Sequence, residues 1–253
     1  MPTVFITGGG GITGPGLIRA FADAGYDVAA SYNKSRERTE ETLRAAREAH
    51  GIRTLAVHGD NGVVDDILKM FREVKETFGG IDCMVNNAGM TFGTKLLTAT
   101  EEDFNRGVHV DFRGTFFCMQ QAALNMIEYG KKGVIINISS NHQSVTFPGH
   151  MLYAASKAAI DRMTKTASVE LAPYGIRVVD IVPGYVQVPD FNEEHAEEAW
   201  YQRIVSKIPL GRYALNDEIG RAAVFLASSD AGIVTGTSLY MDGGAQNVTG
   251  VPG

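Results

Sequence analysis

The chain has 253 residues, 44% hydrophobic and 21% charged, a globular composition too apolar for disorder and of a length that fits one α/β domain. Its 23 basic and 29 acidic residues leave a net charge of −6, so no overall basic field exists to hold nucleic acid or anionic lipid. Cys83 and Cys118 are too few for a disulfide scaffold or a cysteine zinc site; with no signal segment, no long apolar run and no metal needed, the expectation is a cytoplasmic protein off the membrane.

Short Val- and Ile-rich runs alternate with longer helical patterns, the form taken by βαβ units around a parallel sheet buried on both faces. The first strand, Thr3–Thr7, runs into Thr7-Gly-Gly-Gly-Gly-Ile-Thr-Gly14, and a helix Gly14–Ala24 opens as the glycines end. Glycines let the backbone turn sharply and approach an anion without Cβ clashes, while the helix N-terminus offers unpaired N–H groups and a partial positive charge. In this strand–turn–helix context the loop predicts dinucleotide binding, with Gly8, Gly11, Ile12 and Gly14 as candidates.

The second strand, Asp27–Tyr32, ends in Asn33-Lys34-Ser35-Arg36. A ribose-reading Asp or Glu is expected there for NAD, and none is present. NADP(H) is therefore favoured with NAD(H) still possible; Asn33, Lys34 and Arg36 are the candidates, the two basic side chains as partners for a 2′-phosphate.

A helix Arg36–His50, a strand Arg53–Val57, a helix Val63–Phe78 and a strand Ile81–Asn86 follow, then a long helix Glu101–Ile127 opened by the capping box Thr100-Glu-Glu-Asp103. The fifth strand, Gly133–Ile138, ends at Ser139 and Ser140, and Tyr153-Ala-Ala-Ser-Lys157 begins the helix Tyr153–Leu171. Spacing of i, i+4 puts the phenol and the ammonium on one helix face. A free phenol, with a pKa of about 10, is a poor base at neutral pH, but a nearby ammonium and a nicotinamide cation favour the phenolate. Ser140, at a strand's carboxyl end, is placed to hydrogen-bond a substrate oxygen beside Tyr153.

Arg177–Val182 forms the sixth strand, a helix Asp217–Leu226 follows, and Ser238–Met241 closes the sheet. Between them Gln187–Pro209 breaks the rhythm with acidic Asn192-Glu-Glu-His-Ala-Glu-Glu198, then Trp200, Tyr201 and Ile204. Its place after a strand's carboxyl end predicts a helical flap over the site, at residues 187–209.

Thr7-Gly…Gly14, Asp60, Asn86-Asn-Ala-Gly89, Ile138-Ser-Ser140, Tyr153-x-x-x-Lys157, Pro183-Gly184 and Asp242-Gly-Gly244 together resemble the short-chain dehydrogenase/reductase family in order and spacing. The resemblance implies that Asp60 and Asn61 hold the adenine, that Asn87, Ala88 and Gly89 line the adenosine side, that Val186 faces the nicotinamide carboxamide, and that Lys157 also binds the nicotinamide ribose. It also implies a homotetramer built on the helices Glu101–Ile127 and Tyr153–Leu171.

Three positions depart from the pattern. Ile12 stands at the usual middle glycine, Val188 where a Thr often contacts the carboxamide, and Asp111 where an Asn completes the family's catalytic tetrad. Asp111 can hold water in the Asn's place or pair with Lys157 and alter the phenol's titration. Ser139-Ser-Asn-His-Gln143 and Tyr240-Met-Asp-Gly-Gly244 are similar to glucose and other sugar dehydrogenases. His142 and Gln143 either bind a polyhydroxylated substrate or face solvent, and Met90, Thr91, Tyr185 and Trp200 are further pocket candidates.

The expected fold is a single Rossmann-type domain, a doubly wound seven-stranded parallel sheet with helices on both faces. The expected activity is NAD(P)-dependent hydride transfer between a nicotinamide cofactor and a secondary alcohol or ketone. The expected substrate is a small molecule, with a sugar or polyol among the candidates, and the catalytic group is Ser140, Tyr153, Lys157 and Asp111. The alternatives are a 3-oxoacyl thioester reductase and a nucleotide-sensing protein without catalysis.

Overall fold

The computed structural model describes residues 1–188 and 198–248. Seven strands, β1 (Thr3–Ile6), β2 (Asp27–Tyr32), β3 (Thr54–His58), β4 (Cys83–Asn86), β5 (Val134–Ile138), β6 (Arg177–Pro183) and β7 (Ser238–Met241), form one sheet in the order β3-β2-β1-β4-β5-β6-β7. Every neighbouring pair is parallel. The chain order reverses between β1 and β4, and there the carboxyl ends open a crevice.

Both faces are covered, so successive residues along a strand enter different cores. Val4, Ile6, Val28, Val85 and Ile136 pack under α1 (Gly14–Asp23) and α2 (Arg36–His50). Phe5, Ala29, Met84 and Ile135 pack against α3 (Val64–Phe78) on the other side. The expected strands and helices recur within about two residues at each end.

One element differs in kind. The helix expected over Glu101–Ile127 is α4 (Glu101–Gly107), a π-helical segment (Val108–Gly114) and α5 (Thr115–Glu128). Thr100 accepts from the Asp103 N–H at 3.1 Å and the Asp103 carboxylate accepts from the Thr100 N–H at 3.1 Å, so the capping box forms as its spacing predicts. A π segment carries no periodic apolar signal, and such insertions gather at functional sites. This one holds Asp111, wholly buried.

The helix carrying Tyr153 and Lys157, α6, starts at Met151 and runs to Leu171. Of the expected flap, residues 189–197 lie outside the described residues, whereas α7 (Ala199–Val205) and the chain to Pro209 are described. The helix α8 (Asn216–Ala227) packs on α1 before β7. No helix among the described residues is long and apolar enough to cross a membrane.

Candidate active site

A cleft of about 610 Å³ opens at the carboxyl ends of β1, β4, β5 and β6. At one end it is lined by Gly8, Gly11, Ile12 and Thr13 of the first loop, with Asn87, Ala88 and Gly89 opposite. The Asn87 side chain donates to the carbonyls of Thr7 and Gly8, both at 3.0 Å, and accepts from Thr13, so its amide is spent on holding the loop. Gly14 does not line the cleft. It is the first residue of α1, where a Cβ would lie 2.3 Å from the Gly9 carbonyl, so it lets the loop close onto the helix.

Thr13 precedes α1 without a side-chain cap, which leaves first-turn N–H groups of this ten-residue helix for an anion. The cradle therefore fits a pyrophosphate. Beyond it, Asn33 donates to Asp60 at 2.8 Å, and Asp60 accepts from the Gly62 N–H at 2.7 Å. Asn61 is buried with its amide on Cys118 Sγ at 3.6 Å. Lys34 is exposed, and Arg36 pairs with Glu40 at 2.8 Å on the helix surface.

The other end of the cleft brings together Ser140, His142, Tyr153 and Lys157, with Pro183, Gly184, Tyr185 and Val186 from the end of β6. Lys157 Nζ lies 5.4 Å from the centroid of the Tyr153 ring. It donates to the Ile138 carbonyl at 3.2 Å and pairs with Asp111 Oδ1 at 3.1 Å, both side chains being buried. Of the two roles open to Asp111, direct pairing is the one the fold produces. Burial alone pulls the Lys157 ammonium down, but the charges of Asp111 and Tyr153 and the hydrogen bond to Asp111 outweigh it and hold Lys157 above its ordinary range. A side chain on Gly89 would lie 2.7 Å from Asp111 Oδ1 and 3.1 Å from Lys157 Nζ, so only glycine leaves room for the pair.

Ser140 Oγ accepts from the His142 N–H at 3.3 Å and makes only a long 3.5 Å contact to Asn141, which leaves its proton free to turn toward a ligand. The imidazole of His142 stacks on Phe147 at 3.8 Å and meets Tyr153 edge-on at 5.0 Å. Burial, then His150 and Lys157, pushes its pKa down to about 4, so it is neutral near pH 7. Among the described residues its buried Nδ1 has no hydrogen-bond partner.

Two expected pocket residues are elsewhere. Gln143 accepts from Ser139 Oγ and donates to the Tyr240 hydroxyl at 3.1 Å, so it ties β5 to β7 and lies outside the cleft. Trp200 is 42% exposed, with its indole N–H on Glu198, and does not line the cleft either. Its neighbour Tyr201 turns inward onto Tyr213 at 4.6 Å, and Tyr213 stacks on Tyr185 at 5.4 Å. Met90, Thr91 and Tyr185 do line the cleft, and Val188 is exposed. Phe147 and Tyr213 had no signal in the linear pattern, because each acquires its role only through a ring it meets across the fold.

Residues 11–246 match the family described as enoyl-(acyl carrier protein) reductase. A 3beta-hydroxysteroid dehydrogenase 1 of Eggerthella lenta is 35% identical over 242 residues, 96% of this chain and 92% of that protein. A 3-oxoacyl-(acyl-carrier-protein) reductase of Staphylococcus aureus is 32% identical over 96% of this chain and 97% of its own length. A solved short-chain dehydrogenase/reductase from Serratia marcescens superposes with a TM-score of 0.90 at 30% identity, covering 97% of this chain and 98% of that one.

Proposed function

The chain belongs to the short-chain dehydrogenase/reductase family, and from that premise we propose that Ser140, Tyr153, Lys157 and Asp111 are the reaction centre of its alcohol–carbonyl oxidoreductase activity. The protein is an NAD(P)-dependent oxidoreductase acting on hydroxyl and keto groups. The carrying observation is that Tyr153, Lys157 and Ser140 share one cleft with an uncapped helix N-terminus behind a glycine loop.

The nicotinamide ring, when bound, gives or takes the hydride. Tyr153 gives its phenolic proton to the carbonyl oxygen in reduction and takes one from the alcohol in oxidation. Ser140 donates a hydrogen bond to the same oxygen as charge develops there. Lys157 holds a positive charge close to the phenol, favouring the phenolate, and Asp111 holds Lys157.

For the substrate, the wall formed by Met90, His142, Phe147 and Tyr185 favours a ketone or secondary alcohol with an apolar body over a sugar. Gln143, one of two side chains expected to bind a polyol, is engaged at β7 instead. A 3-oxoacyl thioester reductase is the second reading, supported by the Staphylococcus aureus relative. NADP(H) is favoured by Lys34 and Arg36 and by the lack of an acid at the end of β2. Exposed Phe112, Phe116 and Leu124 along the π segment and α5 support a homotetramer, and two free buried cysteines suit the cytoplasm.

A panel of hydroxysteroids, ketones, acyl thioesters and sugars, run with NAD(H) and NADP(H) and followed by nicotinamide absorbance, tests these readings together. Turnover of sugars alone would overturn the apolar-substrate reading.

A further inference from the structure

Beneath the reaction centre lies a second buried acid that the chemistry above leaves without a role. Asp180, on β6 between Asn137 of β5 and Ser238 of β7, is wholly buried. Among the described residues, neither of its carboxyl oxygens has a well-formed hydrogen bond. Two hydroxyls, those of Ser139 and Ser238, lie close enough to pull its carboxyl down, yet each has another acceptor for its proton. Ser139 donates to Gln143 Oε1, and Ser238 donates to Asp161 Oδ1 at 2.9 Å.

The charges around Asp180 decide which of its forms belongs there. Lys157 is the nearby buried cation, and Asp111 already neutralises it at 3.1 Å. Asp161, facing the same region from α6, has its own partner in Lys165 at 2.7 Å. An ionised Asp180 would therefore be a buried anion whose two neighbouring hydroxyls are already committed and whose nearby cation is shared, an arrangement costly enough that a carboxyl group takes a proton instead. Burial raises the Asp180 carboxyl to about 8, against the lowering pull of Ser139 and Lys157 and with Asp161 adding to the rise.

We propose that Asp180 works as a protonated carboxylic acid, a positioning residue whose O–H donates to Ser139 Oγ and so fixes the strand end that carries Ser140. Ser139 has a lone pair for that donor: its Oγ gives its own proton to Gln143 and accepts the Ser140 N–H at 2.6 Å. The chain of contacts thus runs from Asp180 through Ser139 to the backbone of Ser140. Loss of the proton would remove the donor and place a second negative charge near Lys157, opposing formation of the Tyr153 phenolate in alcohol oxidation.

The role rests on Ser140 as the substrate-oxygen ligand, whereas the proton can be read without any substrate. Asp180→Asn copies the protonated acid, with an N–H in place of the O–H. Because the folded chain holds a proton that the unfolded chain releases, wild type should lose stability relative to D180N as pH rises from about 5 to about 8 and no further above that. The Tm gap, measured by calorimetry on the two full-length proteins, should widen by several degrees over that interval. A gap constant with pH overturns the proposal.

In alcohol oxidation, wild-type kcat/KM should fall several-fold above pH of about 8, and D180N should hold its plateau. Coincident profiles, with the Tm gap still pH-dependent, overturn the positioning role while leaving the family activity intact. Should D180N not fold, the infrared carbonyl stretch of a protonated carboxyl in wild type at neutral pH reads the same proton, and its absence has the same force.

Discussion

Lys157 Nζ and Asp111 Oδ1 meet at 3.1 Å in the interior, and the Met90 N–H closes on the other Asp111 oxygen at 3.2 Å. The acid is held there by the π segment, and its charge holds the lysine protonated. Asp111 therefore works in two opposed directions: it fixes the ammonium beside Tyr153 and partly cancels that ammonium's field.

Replacing Asp111 by Asn removes the cancelling charge and keeps the size of the side chain. The unopposed ammonium then favours the phenolate, so the pH at which oxidation reaches half its maximum should move down by more than about 0.3 unit, with activity retained. Profiles of the two proteins at saturating cofactor provide the comparison. Superimposed curves would mean that Asp111 serves only as a hydrogen-bond acceptor.

Tyr153→Phe keeps the ring that packs against His142 at 5.0 Å and deletes only the proton donor. Turnover should drop at least ~10²-fold while nucleotide affinity, followed by fluorescence titration, stays close to wild type. Near-normal turnover would refute the assignment of Tyr153 as acid and base.

Cofactor choice is tested at the end of β2. Lys34→Ala combined with Arg36→Ala should weaken NADP(H) by about 1.5–3 kcal/mol, the usual contribution of a charge-assisted hydrogen bond, and NAD(H) far less. Equal losses for both nucleotides, measured by calorimetric binding, would remove these side chains from the 2′-phosphate site.

Gln143 and His142 are adjacent in sequence, yet opposite results are expected from them. Gln143→Leu forfeits its bonds to Ser139 and Tyr240, about 1–3 kcal/mol of stability, and should leave substrate KM nearly unchanged. His142→Leu removes the buried Nδ1 that faces no protein partner, so it should alter KM for substrates with a second polar group. A KM effect from Gln143→Leu matching that of His142→Leu would reopen the sugar reading.

Association is the remaining expectation. Light scattering at micromolar concentration should give a tetramer mass, and Phe116→Glu, which charges an exposed ring of α5, should lower it. A monomer mass for the unaltered protein would leave the exposed phenylalanines without this explanation.

The parts of this protein whose signal is local can be read from the chain alone. Seven β-branched runs, the glycine loop between the first strand and helix, the Thr100–Asp103 box and the Tyr153–Lys157 spacing each depend on neighbours within a few residues, so periodicity and capping chemistry suffice to read them. The remaining features arise from meetings across the sheet, which no local pattern encodes. Asp111 gave two options until the π segment pressed it against a lysine 46 positions later. Gln143 and Trp200 looked like pocket residues because of where they stand in the chain, but side-chain direction is set by packing. A partner on β7 drew Gln143 away, and Tyr201 took the inward face of α7. The isolation of Asp180 is likewise invisible in a list of residues, since a buried acid is defined by the donors it fails to meet.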